Sequence, residues 1–209
     1  MKHFAGLLLV ALLAIAPAFA QTPAGWKMRA DHSSNASDPD ASGTNKFLTA
    51  GSGFHAINPM AAVYWNPANT ATGNFTLKGT FKLIKSTGED EYYGLIFGGS
   101  GLEGAGQSYT YFMVTDDGTY LIKRREGASA QGVSSKTPSP AVKKPDAGGS
   151  ATNALEVRVM ADKVDFVING TVVTSMPKTG ALAKTDGTYG IRINHQLDVQ
   201  IDNFSLSKM

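Results

Sequence analysis

The chain has 209 residues, with 19 Lys and Arg against 17 Asp and Glu, which gives a formal net charge of +2 at pH 7. A balance this close to neutral argues against nucleic acid or an anionic membrane as a partner, because both require a concentrated basic patch. The absence of Cys excludes disulfides and metal sites built on thiolates.

Residues 1–20 are typical of a secretory signal. Lys2 and His3 give a short basic start, residues 4–16 are apolar, and Ala18-Phe19-Ala20 is a small-x-small cleavage site. The apolar run is shorter than the roughly 20 residues of a transmembrane helix. We therefore expect an exported protein, periplasmic or extracellular, with no integral membrane segment after cleavage and with residues 21–209 forming one domain.

Short strands separated by turns are predicted through the first half of this domain. Residues 25–30 form a plausible opening strand, and the polar residues 31–46 indicate a loop. A strand beginning near residue 61 is expected to end at Asn66-Pro67. Residues 74–84 alternate strictly between apolar and polar side chains, as expected when one face of a strand meets a core and the other meets water.

Residues 92–125 differ from the other predicted strands. They contain three apolar and aromatic runs, separated by turns rich in Gly, Ser and Asp, with large side chains on both faces. Something other than bulk water is therefore expected to cover their second face.

The C-terminal half repeats the alternating pattern. Asn169-Gly170 predicts a two-residue hairpin that requires positive φ, and Asn203 interrupts an alternation, which indicates a bulge near Asp202. Residues 126–152 are interpreted as one long irregular loop. Because no segment of ten or more residues after the signal has helical periodicity, the pattern predicts an all-β sandwich or barrel.

Six segments along the domain form a recognisable pattern. They are Gly-x-Gly-x-His at 51–55, Ala-x-Tyr-Trp-Asn-Pro-Ala-Asn at 62–69, Tyr-Gly-Leu-x-Phe-Gly-Gly at 93–99, Asp-Gly-x-Tyr-Leu-Ile-Lys at 117–123, Asn-Gly-Thr at 169–171, and Gly-x-Arg-x-Asn-His-x-Leu-Asp-Val at 190–199. These segments resemble secreted bacterial proteins of the concanavalin A-like (laminin G-like) sandwich class. The resemblance implies an all-β, concanavalin A-like jelly-roll sandwich of two antiparallel sheets. The chain is also distantly similar to 3-keto-disaccharide hydrolase domains, although it lacks their Asn-Ser-Gly-x-x-x-Arg-type segment.

The two-faced strands suggest a ligand surface. If Phe112 and Leu121 face the core, the opposite surface presents aromatic and cationic side chains that suit the faces and hydroxyls of sugar rings. The alternative is that the chain's own loops, such as residues 126–152, or its N-terminal arm cover this face. The predicted ligand-binding residues are Tyr109, Tyr111, Tyr120, Arg124, Trp65 and Arg192.

Catalytic candidates are few. His55 and His195 lie at predicted strand ends, and Glu91 closes the acidic run 89–91. Each could act as an acid or base in sugar hydrolysis, but ordinary hydrogen bonding to loops and a solvated turn are the alternatives. No nucleophile-elbow motif accompanies them.

One segment partly matches a calcium loop. Asp38 and Asp40 open an Asp-x-Asp-x-Ser-Gly sequence, but the twelfth position, where a bidentate Glu is needed, is Thr49. We therefore expect no cofactor, with calcium as an option that the spacing does not support.

These patterns favour a non-catalytic protein that binds carbohydrate or another polyhydroxylated ligand. A glycosidase-type hydrolase acting on a sugar derivative is the first alternative, and a structural or adhesive envelope protein is the second.

Overall fold

A computed structural model describes residues 22–33, 36–85 and 91–209. The predicted signal and the first two residues of the acidic run 89–91 lie outside these ranges. The described residues form fourteen strands and a single 3-10 helix, Gly180–Leu182. The strands are β1 (Lys27–Asp31), β2 (Lys46–Ala50), β3 (Gly53–Asn58), β4 (Ala61–Ala71), β5 (Phe75–Leu83), β6 (Tyr93–Ser100), β7 (Ser108–Val114), β8 (Thr119–Glu126), β9 (Ser129–Pro138), β10 (Ala151–Val159), β11 (Lys163–Ile168), β12 (Thr171–Pro177), β13 (Gly187–Ile193) and β14 (Leu197–Lys208).

The strands make two seven-stranded sheets whose neighbouring strands are all antiparallel. Sheet A has the order β1-β4-β13-β6-β7-β8-β9, and sheet B has the order β12-β11-β10-β5-β14-β3-β2. Apolar side chains from both sheets form one buried cluster, which includes Phe97 and Phe112 from sheet A and Phe166 from sheet B. The predicted all-β sandwich of two antiparallel sheets is confirmed.

Sheet B shows the simple alternation that the sequence predicts. In β5, Phe75, Leu77 and Phe81 are buried in the core, whereas Lys78 and Lys82 are exposed. Successive side chains of a strand point to opposite faces of its sheet. In sheet B one of these faces is apolar and packs in the core, and the other is polar and faces solvent.

Sheet A is apolar on both faces in its centre. Every residue of β7 is buried, and a second cluster, separate from the core, contains Trp65, Ile96, Tyr111 and Met113. The prediction that bulk water does not cover the second face of these strands is confirmed.

Two local predictions are also confirmed. Asn169 and Gly170 have φ values of 50° and 83° and join β11 to β12, as the hairpin requires. The pairing of β14 with β5 shifts register between Asp202 and Ser205, where Asn203 has a φ of 53°. This shift is the bulge expected near Asp202.

The structure treats the two segments that were predicted to be loops differently. The described residues between Asp31, where β1 ends, and Lys46, where β2 begins, belong to no strand or helix, as predicted for a loop. The segment 126–152 is not one long loop, because β9 (Ser129–Pro138) lies within it. This strand has only β8 as a neighbour and most of its side chains are exposed. An edge strand of this kind needs no apolar alternation, so the sequence pattern does not show it.

The predicted strand end at Asn66-Pro67 is wrong, because β4 continues to Ala71. The neighbouring strand β13 shifts register between Thr188 and Gly190, opposite this part of β4. The irregular pairing accommodates Pro67, which has no N–H to donate to a regular ladder.

None of the helices in the described part of the chain is long and apolar enough to cross a membrane.

Candidate functional site

The pairing of β7 with β8 decides which side chains share a face of sheet A. Tyr109 lies opposite Arg125, and Tyr111 lies opposite Lys123. Thr110 lies opposite Arg124. Paired residues in an antiparallel ladder point to the same side of the sheet, so Arg124 points away from the two tyrosines.

The prediction that Tyr120 and Arg124 join Tyr109 and Tyr111 on one ligand surface is therefore wrong. Tyr120 packs edge-on against Phe112, with ring centroids 6.1 Å apart, inside the core between the sheets. The register pairs Phe112 with Ile122 rather than with Leu121. This register places Leu121 in the second cluster. Compared with the predicted register, each side chain of β8 lies on the opposite face of the sheet.

Arg124 is a buried structural side chain, with 3% of its surface exposed. Its Nη1 donates to the carbonyl oxygens of Gly98 and Lys184 at 3.3 and 3.2 Å, and its Nε donates to Glu126 at 2.9 Å. It also contacts the hydroxyls of Ser108 and Thr110. These partners use the guanidinium donors within the protein.

We call the surface that carries the second cluster the outer face of sheet A. Tyr109 and Tyr111 lie on it 5.8 Å apart between ring centroids. Trp65 belongs to the same cluster and is also buried. It lines a separate cavity of 420 Å³ together with Leu102 and Gly104. The face is thus closely packed at its centre and has hollows beside it.

Arg192 is the charged centre of the outer face. Its Nη1 donates to Asp31 Oδ2 at 2.6 Å and to the Tyr109 hydroxyl at 2.8 Å. Its guanidinium carbon lies 5.5 Å from the centre of the Tyr111 ring, within the range of a cation–π contact. The buried Nε of Arg192 has no hydrogen-bond partner among the described residues.

Asp31 holds this cation in place. Burial tends to raise the pKa of the Asp31 carboxyl, but Arg192, Arg125 and a hydrogen bond from Gln107 outweigh burial and hold that pKa below its usual range. The same pairing, together with Tyr109, raises the pKa of Arg192 against the opposing effect of burial. Both groups are therefore charged at neutral pH.

A second group of polar side chains lies at the edge of this face. We call Asp38, Asp40, Glu91 and His195 the rim cluster. His195 Nε2 lies 2.8 Å from Glu91 Oε1 and 3.0 Å from Asp38 Oδ1, and His195 Nδ1 lies 3.4 Å from Asp40 Oδ1. One ligand atom each from Asp38, Glu91 and His195 could surround a metal ion, since these atoms all lie within 4.8 Å of one another.

Two members of the rim cluster are buried, and the cluster is only partly hydrogen-bonded. Glu91 and His195 are 7% and 6% exposed. Glu91 Oε2, Asp40 Oδ1 and His195 Nε2 have no hydrogen-bond partner among the described residues, because the close contacts to Nε2 lack hydrogen-bond geometry. Buried polar atoms are normally satisfied, so such a concentration of unsatisfied atoms needs an explanation.

Burial and neighbouring charges shift both titrating groups of the rim cluster. Burial raises the pKa of the Glu91 carboxyl, Asn194 and His195 oppose this, and Asp38 adds to it. Burial tends to lower the pKa of His195, but Glu91 and Asp38 outweigh burial and raise it.

Two adjoining cavities open between the rim cluster and the outer face. One has a volume of 340 Å³ and the other a volume of 280 Å³. Both are lined by Asp38, Glu91, Arg192 and Asn194. The larger also contacts Asp31, Arg125 and His195, and the smaller contacts Tyr92, Tyr111 and Lys123.

The structure thus brings together five of the residues singled out in the sequence. Tyr111, Arg192, Asp38, Glu91 and His195 all line these two cavities. His55 lies elsewhere, on sheet B, where its Nε2 is 2.6 Å from Asp198 Oδ1.

Sequence reasoning also missed other cavity residues, and five of them bear directly on the site. Lys123 and Arg125 follow directly from Tyr111 and Tyr109 once the register of the β7–β8 hairpin is known. Asp31 and Asn194 each lie at the end of a strand of sheet A or just beyond it, a position that signals function only after the neighbouring strands are known. These five residues are Asp31, Tyr92, Lys123, Arg125 and Asn194.

Similar folds are known among solved structures. The carbohydrate-binding module CBM66 from Bacillus subtilis superposes with a TM-score of 0.61, at 11% identity, over 88% of this chain and 96% of that one. A Bacillus subtilis protein of unknown function with a galectin-like fold gives 0.59, at 14% identity, over 88% and 89%. The chain has a concanavalin A-like, galectin-like sandwich fold.

This galectin-like sandwich also matches the carbohydrate recognition domain of Emp46p, with a TM-score of 0.55 and 10% identity over 87% of each chain. No protein family and no curated protein matches the sequence. At these identities the likeness establishes the fold, as the resemblance in the sequence implied.

Proposed function

We propose that the protein binds a carbohydrate or another polyhydroxylated ligand in the two cavities between the rim cluster and the outer face of sheet A. The proposal rests on the residues that line both cavities. Arg192, Asn194 and Glu91 line both cavities, and their buried Nε, Oδ1 and Oε2 atoms have no hydrogen-bond partner among the described residues. One donor and two acceptors in one hollow match the alternating donors and acceptors of adjacent hydroxyl groups.

Aromatic side chains complete the site. Tyr111 and Tyr92 line the smaller cavity next to the polar wall. Sugar rings present apolar C–H surfaces that pack on aromatic faces while their hydroxyls form hydrogen bonds. Solved carbohydrate-binding modules share the fold of this chain, which supports a sugar as the ligand at the level of fold.

The charge of the cavities favours a neutral ligand. Their lining includes three fixed cations, Arg125, Arg192 and Lys123, against three carboxylates, Asp31, Asp38 and Glu91. Because neither sign dominates, an uncharged polyol fits better than an anionic or cationic sugar. The composition of residues 1–20 supports binding after export, in the periplasm or outside the cell.

A glycan array probed with the purified protein, followed by calorimetry with the best-bound glycan, tests the proposal. We expect Tyr111→Ala to weaken binding at least about ten-fold, the size of one aromatic contact. Lys123→Ala should also weaken binding, and this half-buried side chain can be removed with little effect on folding. Tyr120→Phe, which alters a tyrosine on the core side of the same strand pair, should leave affinity unchanged.

The site assignment fails if a bound glycan keeps its affinity in both Tyr111→Ala and Lys123→Ala. Carbohydrate binding itself is rejected if the folded protein binds nothing across a broad array that includes oxidised and acylated sugars.

A sugar hydrolase is the second candidate, and Glu91 is the observation that favours it. Its buried carboxyl has a raised pKa and lies beside His195 and Asp38 in the cavity wall. A carboxyl group of this kind suits a general acid. Turnover of any glycan that Glu91→Gln abolishes without loss of binding would establish catalysis, and binding without turnover would leave the non-catalytic proposal standing.

A further inference from the structure

The contacts around His195 are difficult to explain by hydrogen bonding alone. Its Nε2 has two carboxylate oxygens within 3.0 Å, one from Glu91 and one from Asp38. A single N–H can point at only one acceptor, and here it is aligned with neither. An ion held by the Nε2 lone pair can instead be approached by both carboxylates at once.

We propose that the rim cluster is a binding site for one zinc-class divalent cation, with Asp38, Glu91 and His195 as its protein ligands. The two carboxylates would balance the charge of the ion, while the imidazole binds it as a neutral ligand. This inference goes beyond sugar binding, because it rests on the rim cluster alone and holds whether or not a glycan binds.

Two buried side chains of the cluster carry unpartnered polar atoms, and that of His195 points at the carboxylates of Glu91 and Asp38. Glu91 Oε2 and His195 Nε2 have no hydrogen-bond partner among the described residues, and both residues are more than nine-tenths buried. Asp40 Oδ1 is a further unpartnered buried oxygen next to the same imidazole. These atoms distinguish the rim cluster from a solvated group of acidic residues.

Asp40 supplies a second feature of histidine metal sites. Its Oδ1 lies 3.4 Å from His195 Nδ1, on the side of the ring away from the proposed ion, and a small rotation of either side chain would let that N–H donate to it. Metal-binding histidines normally donate their other N–H to a carboxylate or carbonyl, which fixes the tautomer and the ring orientation. Asp40 is itself held by the backbone N–H of Ser33, which donates to Oδ2 at 3.0 Å. Asp40 is thus a positioning residue.

The type of cation follows from the ligands. Zinc accepts imidazole and carboxylate at about 2.0–2.2 Å, and three protein ligands leave one position open. Calcium requires six to eight oxygen ligands, more than this cluster offers. The ligand separations of 2.8 and 3.0 Å are slightly shorter than the roughly 3.4 Å edge of a tetrahedron with zinc-type bonds. Small side-chain rotations would therefore admit the ion.

The position of the cluster gives the ion access to a ligand. Asp38 and Glu91 line both cavities, and His195 lines the larger. The open coordination position of a zinc-class ion could therefore accept water or a hydroxyl oxygen from a bound molecule.

Calorimetric titration of the purified, EDTA-stripped protein with ZnCl₂ tests the inference without any sugar. We expect one zinc per chain, a Kd raised at least ten-fold by Glu91→Gln or Asp38→Asn, and a Kd raised about 10–100-fold by Asp40→Asn. Excess CaCl₂ should not displace the zinc. The absorption spectrum of the Co²⁺-substituted protein should report a tetrahedral site in the wild type and change in Asp38→Asn.

His55→Gln is the matched control. His55 also contacts a carboxylate closely, that of Asp198, but lies outside the cluster, so zinc binding should be unchanged. The inference is wrong if Glu91→Gln and Asp38→Asn bind zinc as tightly as the wild type, or if His55→Gln weakens binding as much as they do.

If Glu91→Gln does not fold, the partly exposed Asp38→Asn decides the matter. At one zinc concentration, zinc should raise the thermal unfolding midpoint of the wild type clearly more than that of Asp38→Asn, and equal increases in both would overturn the inference. Glycan binding should also be measured after EDTA treatment. If it persists, the proposed function stands whether or not the zinc site exists.

Discussion

Arg192 and Asp31 form an ion pair of 2.6 Å that joins β13 to the end of β1 across 161 residues of chain. Both side chains are about 10% exposed. The pair fixes the guanidinium beside Tyr109 and Tyr111, in a residue that lines both cavities.

The pair should make stability depend on acid pH. Because the folded pKa of Asp31 is depressed, its contribution is complete above the unfolded pKa of about 3.9 and is lost as pH falls through the lower folded pKa. We expect Asp31→Asn to reduce the free energy of unfolding by about 3 kcal/mol at pH 7. Urea denaturation between pH 7 and pH 2.5 should show this difference shrinking below about pH 4.

The groups that face Asp31 are Arg192, Arg125, Tyr109 and Gln107. The exposed Asp162, changed to Asn, serves as the control and should alter stability little at any pH. A difference between wild type and Asp31→Asn that stays constant down to pH 2.5 would contradict the assignment.

Ligand binding should depend weakly on salt. The three cations and three carboxylates that line the cavities leave little net charge to attract an ion. We expect the Kd for a bound glycan to change less than about two-fold between 50 and 500 mM NaCl, because screening acts mainly on net charge. A steep loss of affinity in calorimetry over this range would instead indicate an anionic ligand held by Arg125, Arg192 and Lys123.

Arg124 should matter for stability and not for ligand binding. Its buried guanidinium contacts five groups on neighbouring segments, so Arg124→Met leaves buried acceptors without a donor. We expect the free energy of unfolding to fall by about 3–5 kcal/mol, measured by urea denaturation. Glycan affinity at a temperature where the variant is folded should be unchanged.

Arg158→Met is the matched control for Arg124→Met. Arg158 also pairs with a carboxylate two residues away, Glu156, at 2.6 Å, but its side chain is 36% exposed. Exposed pairs contribute less than about 1 kcal/mol. Equal losses in the two variants would show that the burial of Arg124 has no special importance.

The hairpin between β11 and β12 gives a test of backbone conformation alone. Gly170 has a φ of +83°, and an added Cβ would meet nothing within 4 Å. We expect Gly170→Ala to destabilise the protein by about 1 kcal/mol, because only the left-handed conformation resists the change. Gly106→Ala, where space is also open and φ is not positive, should be neutral or slightly stabilising. The thermal unfolding midpoint should therefore fall in Gly170→Ala and stay the same or rise slightly in Gly106→Ala.

The sequence by itself determined the class of fold and much of its local detail. Alternation in 74–84, the Asn169-Gly170 pair and the break at Asn203 all predict features that depend on neighbouring residues only. Where one face of a strand is apolar and the other polar, burial can choose only one orientation. The edge strand β9 escaped this reasoning because it buries little and so carries no apolar signal.

Tertiary structure decided the site. In β7 and β8 both faces are apolar, so the hydrophobic pattern could not choose between the register that pairs Phe112 with Ile122 and one that turns Leu121 toward the core between the sheets. The structure shows the first of these registers, and contacts within the hairpin turn are consistent with it. There Thr115 donates its N–H to the carbonyl of Thr119, and Asp117 accepts the N–H of Thr119.

The rim cluster illustrates the same limit over longer distances. Asp38 and Asp40 come from the loop after β1, Glu91 precedes β6, and His195 follows β13. These segments are up to 157 residues apart in the chain, and they meet because β13 is inserted between β4 and β6 in sheet A. Local pattern records the chemistry of each residue, but only strand order and register determine which of these residues come into contact.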